Sequence, residues 1–282
     1  MCSGVRRPAM SARLLLQVAI LSACAACTSA FAQTKAGAAQ ADSGSIEVTA
    51  QRTPVDKSYR KMIDGMDFFE RKHAMAPGAE LRFKLLPRKR DSNLERIELQ
   101  ILGDSFVIPV DVAPDHTFTV PRERKALDEN ASVRSNRKAL SMTWRTEIRT
   151  PGLPPGTRRL GDLRLECQVA MVADLISNVR SVFDSVSNFV AGMLDYCNKS
   201  DPQYYFFSDR PLFSVALVAG ARREVVPVDR LYAGASHDPG WKANLPYCDC
   251  EVLVDRTYFL PLGDRSWPDD TRVEIEYMDD GK

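Results

Sequence analysis

The stretch "DLRLECQVAMVADLISNVRSVFDSVSNFVAGMLDYC", residues 162–197, decides how this chain is read, because two periods meet inside it. Its first eight residues, Asp162 to Val169, alternate polar and apolar side chains, the period of a half-buried strand. From Val172 the period changes. Val172, Val179, Val186 and Met193 form one row, Leu175, Val182, Phe189 and Tyr196 a second, and Ile176, Phe183, Val190 and Cys197 a third. The spacing predicts one long amphipathic helix over about 172–197. Val, Ser and Asn are mediocre helix formers, so burial of the apolar stripe has to hold such a helix. A stripe three rows wide suits packing on a sheet better than a two-row coiled-coil seam.

Outward from this stretch, strand-length apolar or alternating pieces dominate. On the N-terminal side stand "ELRFKLL", "RIELQIL", "SFVIPVDV", "HTFTV" and "MTWRTEIR"; on the C-terminal side stand "QYYFF", "LFSVALV", "REVVPVD", "CEVLVD", "TYFLPL" and "RVEIEYM". Pro, Asp, Asn and Gly separate them, as turns require. Residues 121–138 read as a charged helical or loop insertion. Thr53-Pro54 reads as a helix start, with Tyr59, Met62, Ile63, Met66 and Phe69 at helical spacing until Pro77-Gly78. The expectation is an α+β chain, mainly β, of antiparallel sandwich-like sheets packed with the long helix. Its segments are a flexible linker (33–52), a short helix (53–77), a β-rich region (78–170), the amphipathic helix (171–197) and a second β-rich region (198–282). "LQILGDSFVIPVD" and "VALVAGARREVVPVD" echo each other, which hints at a duplicated β unit.

The N-terminus bears on location. Arg6, Arg7 and Arg13 flank an apolar core from Leu14 that is of signal-peptide length, so residues 1–32 read as a leader cleaved after Ala30-Phe31-Ala32. Leu21-Ser22-Ala23-Cys24 reads alternatively as a lipobox, with Cys24 lipidated and the chain anchored at the outer membrane. Either way the protein is exported, periplasmic or secreted. "IEVTAQR", residues 46–52, resembles the N-terminal segment of TonB-dependent receptors, which implies a strand offered to a partner's sheet edge. The chain carries 38 Lys and Arg against 37 Asp and Glu. That balance speaks against nucleic acid as a partner.

Seven cysteines include four in the mature chain, Cys167, Cys197, Cys248 and Cys250. A continuous helix over 172–197 would separate its ends by about 38 Å. The expectation is therefore that Cys197 bonds Cys248 or Cys250, and that Cys167 stays a buried thiol.

Motifs for chemistry are sparse. Gly103-Asp104-Ser105 resembles the nucleophile block of GDSL-type hydrolases, yet a strand and not a helix follows it, so a hairpin turn is expected. His73, His116 and His237 have no ligating spacing, and neither a P-loop nor a dinucleotide-binding glycine pattern occurs. No catalytic residue, metal site or cofactor is assigned. Leu153-Pro154-Pro155-Gly156-Thr157 is similar to the turn before the last strand of transthyretin-like modules, which implies a sandwich without enzymatic activity. Arg82, Lys84, Arg88, Lys89 and Arg90 form a candidate patch for anionic envelope polymers. The function expected is non-enzymatic binding of a protein or glycan of the cell envelope; an exported hydrolase is the alternative. Intact mass of the mature protein is expected to give Gln33 as its first residue, and a diacylated Cys24 would establish the anchored form instead.

Overall fold

The computed structural model describes residues 54–88, 92–176, 195–199, 204–233 and 253–279. The chain begins with strand β1 (Pro54–Ser58), which runs into helix α1 (Tyr59–Lys72). Strands β2 (Glu80–Pro87), β3 (Leu99–Leu102), β4 (Val107–Val110) and β5 (Thr117–Phe118) follow. A short helix α2 (Arg124–Asp128) leads to β6 (Ser132–Lys138) and β7 (Met142–Arg149). Then come β8 (Thr157–Arg159), helix α3 (Leu160–Val172), β9 (Phe206–Phe207), β10 (Leu212–Ala219), β11 (Arg222–Val225), β12 (Thr257–Tyr258) and β13 (Arg272–Tyr277). Among the described residues four sheets form, in the orders β1-β6-β3-β4, β5-β2-β7, β11-β10-β13-β8 and β12-β9. Every strand pairing is antiparallel, and the class is mainly β with helices, α+β. Among the described residues no helix is long and apolar enough to cross a membrane.

The stretch where the two periods meet brings the main correction. Asp162 to Val169, expected as a strand, lies inside α3, and α3 stops at Val172, where the long helix was to begin. The stop is a Schellman motif: Leu175 N–H donates to Ala170 O (3.0 Å), Asp174 N–H donates to Met171 O (3.2 Å), and Asp174 takes the left-handed conformation at φ 54°. Residues 177–194 lie outside the described residues, and 195–198 form a helical turn. The strand-like alternation misled because α3 is buried on every side from Leu160 to Met171, polar positions included. A helix without a solvent face has no amphipathic period to read.

The disulfide is corrected with it. Cys197 bonds Cys167, with Cα atoms 6.0 Å apart, and both are buried. The distance argument against this bond assumed one continuous helix over 172–197, and residues 173–176 are not helical. Cys24, Cys248 and Cys250 lie outside the described residues.

Two further expectations change. The first helix starts at an N-cap on Ser58, whose Oγ accepts from Lys61 N–H, while Pro54–Ser58 pairs with β6 as a strand. The charged insertion 121–138 contains β6, which sits between β1 and β3 despite its polar composition. Backbone pairing on both sides carries that strand, and Val133 alone supplies its fully buried apolar side chain.

One connectivity occurs twice. β1 pairs β6, β6 pairs β3, β3 pairs β4 and β2 pairs β5; correspondingly β8 pairs β13, β13 pairs β10, β10 pairs β11 and β9 pairs β12. Details agree. Tyr59 N–H donates to Ala131 O (3.0 Å) where Leu160 N–H donates to Thr271 O (2.9 Å). Leu85 N–H donates to His116 O (2.9 Å) where Ser208 N–H donates to Arg256 O (2.8 Å). Register makes Leu99 the counterpart of Val215, so Val110 matches Val226 and Pro109 matches Val225. The shared Pro-Val-Asp of the two echoing segments is thus out of register by two residues, and Pro227 lies beyond its strand. Each half has its own core, around Trp144 in the first and Trp267 in the second. Helices α1 and α3 meet between them so closely that a Cβ on Gly65 would lie 2.7 Å from Ala173 Cβ.

Peptide mapping of unreduced protein is expected to recover Cys167 joined to Cys197. Replacing both by alanine should cost about 3 to 4 kcal/mol in denaturant unfolding, the loop-closure value for a bridge of this span. Recovery of Cys197 joined to Cys248 or Cys250 would contradict the fold.

Candidate functional site

Strand β7 lies at the centre of the site. It pairs with β2 along its full length, and its other edge is sealed by side chains instead of a further strand. Ile148 N–H donates to Glu166 Oε2 (3.0 Å), and Arg158 NH2 donates to Ile148 O (2.8 Å) and to Glu166 Oε2 (2.8 Å). Two residues on, Thr150 N–H donates to Asp162 Oδ2 (2.7 Å) and its hydroxyl to Asp162 Oδ1 (2.9 Å). Asp162 and Glu166 stand one helical turn apart on α3, the spacing that lets one helix face meet alternate residues of a strand. All three charged side chains are buried. Burial pushes the Glu166 carboxyl up, opposed by the charge of Arg158; burial equally opposes the Arg158 charge, which Glu166 and its neighbours nonetheless hold firmly in place.

On the far side of β7 and β2 opens a cleft of about 860 Å³. Arg82 and Lys84 reach it from β2, Glu147 and Arg149 from β7, and Asp209 from the connection after β9. Lys84 Nζ lies 2.7 Å from Asp209 Oδ1 and 3.9 Å from Glu147 Oε1. Arg149 NH2 donates to Asp209 Oδ2 (3.0 Å) and its Nε to Glu147 Oε1 (2.5 Å). Burial works to raise the Asp209 carboxyl, but the charges of Arg149 and Lys84 outweigh it and hold the group below the usual carboxylate range.

The rim of the cleft is built from matching pieces of the two halves. Asp115-His116-Thr117-Phe118-Thr119-Val120-Pro121 enters β5, and Asp255-Arg256-Thr257-Tyr258-Phe259-Leu260-Pro261 enters β12. Acid, base, threonine, aromatic, aliphatic and proline recur at identical spacing. The threonine, the aromatic ring and the aliphatic side chain are buried in both copies, while the leading acid and base of both line the cleft. The copies then diverge. Asp115 Oδ1 accepts from the Thr117 N–H (3.0 Å) and hydroxyl (2.7 Å), whereas the Thr257 hydroxyl donates to Val254 O (2.8 Å). Leu85 and Leu86 of the first half line the same cleft as Ser208 and Asp209, their counterparts in the second.

The residues singled out from sequence distribute as follows. Arg82 donates through Nε to Thr117 Oγ1 (2.7 Å) and Lys84 bonds Asp209, so both belong to the cleft. Arg88 closes the end of β2 with its N–H on Ser141 O, and Lys89 and Arg90 lie outside the described residues. Ser105 lies in the β3–β4 hairpin turn, where its hydroxyl donates to Glu129 Oε1 (2.5 Å). The turn at Leu153 to Thr157 leads through β8 into a helix and not into a last strand. Asp264 and Asp269 receive buried Arg164: its NH2 donates to Asp264 O and its NH1 to Asp269 Oδ1. No group of His, Cys, Asp and Glu suited to a metal occurs among the described residues. Sequence reading overlooked the paired heptapeptides, although "DHTFTVP" and "DRTYFLP" are legible as a repeat once aligned. No family model, curated protein or solved structure matches the chain.

Arg158→Met or Glu166→Gln alone is expected to cost about 3 to 5 kcal/mol, because each strands a buried partner. The joint variant Arg158→Met/Glu166→Leu should recover only part of that. Ile148 N–H and C=O stay unpaired in it, at about 1 to 3 kcal/mol for such a group. Full recovery in denaturant melts would show that the pair does not seal the strand edge.

Proposed function

We propose that this chain is an exported, non-enzymatic binding protein whose cleft takes an extended segment of another polypeptide in the cell envelope or outside the cell. The observation that carries the reading is the pair of Asp-base-Thr-aromatic segments, one from each half, that open onto one cleft. Repeating the buried threonine, aromatic and aliphatic positions serves the fold; Asp115 and Arg256 also make contacts within the chain, to Thr117 and to Asp209 O, but all four acids and bases line the cleft, where a ligand would meet them.

The charge of the cleft bears on the ligand class. Arg82, Lys84, Arg149 and Arg256 supply positive charge, and Glu80, Asp115, Glu147, Asp209 and Asp255 supply negative charge. A polyanionic glycan would meet five carboxylates here, whereas a peptide carries both signs and main-chain donors and acceptors as well. Leu85, Leu86, Leu94 and Leu253 add apolar lining for side-chain anchors. Export is supported by the leader-like N-terminus and by the buried disulfide, since such bonds persist in oxidising compartments. The periplasm or the exterior fits both, with the outer membrane as the site if Cys24 is lipidated.

Mature protein selected against displayed random peptides is expected to enrich sequences that bind with saturable affinity. His116→Ala and Arg256→Ala, one from each half, should each weaken the enriched peptides by roughly tenfold, the loss of about 1.4 kcal/mol. Enriched peptides indifferent to both changes, or no enrichment with folded protein, would sink the proposal.

A further inference from the structure

In the cleft, two cations from neighbouring strands converge on one carboxylate that arrives from elsewhere in the chain. Lys84 of β2 and Arg149 of β7 both contact Asp209, and the second carboxylate within reach, Glu147, engages Arg149 closely but stands 3.9 Å from Lys84. Two positive charges therefore share Glu147 once Asp209 is set aside. We infer that Lys84 and Arg149 form a seat for a ligand carboxylate, and that Asp209 is this chain's own occupant of that seat, displaced when the ligand binds. The inference rests on the reading of the cleft as a polypeptide site and names the group it recognises: an acidic side chain or a C-terminal carboxylate.

Three observations separate Asp209 from an ordinary structural ion pair. The first is the repeat. Asp209 is by register the counterpart of Leu86 in the first half, an apolar side chain inside β2, so the doubled connectivity does not call for a carboxylate at this position. The second is how the segment is held. Ser208 N–H donates to Arg256 O (2.8 Å) and Arg256 NH1 donates to Asp209 O (2.9 Å), so main-chain atoms anchor the turn and leave the carboxylate free to leave it. The third is exposure. The side chains of Asp209 and Arg149 are each 41% accessible and that of Lys84 is 26% accessible. Exposed ion pairs contribute little net stability, so exchanging one carboxylate for another is cheap. Arg149 offers the planar fork that carboxylates match, and Lys84 adds a point charge beside it.

The test uses the mature protein with Asp209→Asn, and with Asp209→Leu, which restores the residue type of the first half and serves if the asparagine variant fails to fold. Three small probes are titrated: N-acetylglutamate N-methylamide for a side-chain carboxylate, N-acetylglutamine for a terminal one, and N-acetylglutamine N-methylamide as the uncharged control. Binding is read from the 15N signals of Arg149 Nε and Lys84 Nζ. Saturable shifts by one or both carboxylate probes, at least tenfold tighter in the variants than in the unaltered protein and lost on adding Arg149→Gln, are expected; which probe acts tells the source of the carboxylate. No shift in a folded variant, or equal shifts with the uncharged control, overturns the seat. Peptides that bind the cleft with no dependence on their carboxylates would overturn this inference and leave the polypeptide reading standing. Carboxylate probes that bind when no peptide does would do the reverse.

Discussion

The buried contact of Arg158 and Glu166 with Ile148 is the constraint from which much of the arrangement follows. A strand edge inside a protein must have its N–H and C=O groups satisfied, because each one left unpaired costs about as much as a lost hydrogen bond. β7 has β2 on one side only, and on the other it meets α3 and the end of β8. Glu166 stands in for the acceptor of a missing strand and Arg158 for its donor, while Asp162 repeats the arrangement at Thr150. The ion pair is thereby more than a pair. Its Coulomb energy offsets its own desolvation, and its remaining valences close the sheet.

That closure explains why α3 tolerates so much charge in the interior. Asp162 and Glu166 face β7, and Arg164 faces the opposite way, toward Leu262 O, Asp264 O and Asp269. Each charge meets backbone atoms that need a partner, so a helix rich in ionisable residues is buried without leaving them unpaired. Cys167, on the same helix, is tied to Cys197 beside the second core. The helix is thus fixed on one side to the first half through β7 and on the other to the second half through the disulfide and Arg164.

The cleft sits where the doubled connectivity converges. Segments of the two halves, 115–117 and 255–256 in the rim and 85–86 and 208–209 beside them, line the cleft together. A site assembled from duplicated parts begins with matched groups and gains discrimination where the copies differ. Here the differences are chemical: His116 against Arg256, Leu86 against Asp209, Lys84 against Phe207. They turn a near-symmetric frame into an asymmetric charge pattern.

From the sequence alone the β-rich class, most strand positions, the hairpin at Gly103 to Ser105 and the apolar face of the first helix were legible, because each depends on local period and turn chemistry. The strand β1, the polar strand β6 and the helix α3 were not. Their side-chain patterns point elsewhere, and pairing partners distant in the chain overrule them. The same holds for the site. Arg82 and Lys84 stood out as cations, but their neighbours Arg149 and Glu147 come from β7 and Asp209 from the connection after β9, and nothing in the spacing along the chain relates them. The repeated heptapeptides were written in the sequence and needed only alignment. That they face one cleft was decided by the tertiary structure, since only the folding of both halves around β7 and α3 brings positions 115 and 255 to the same rim.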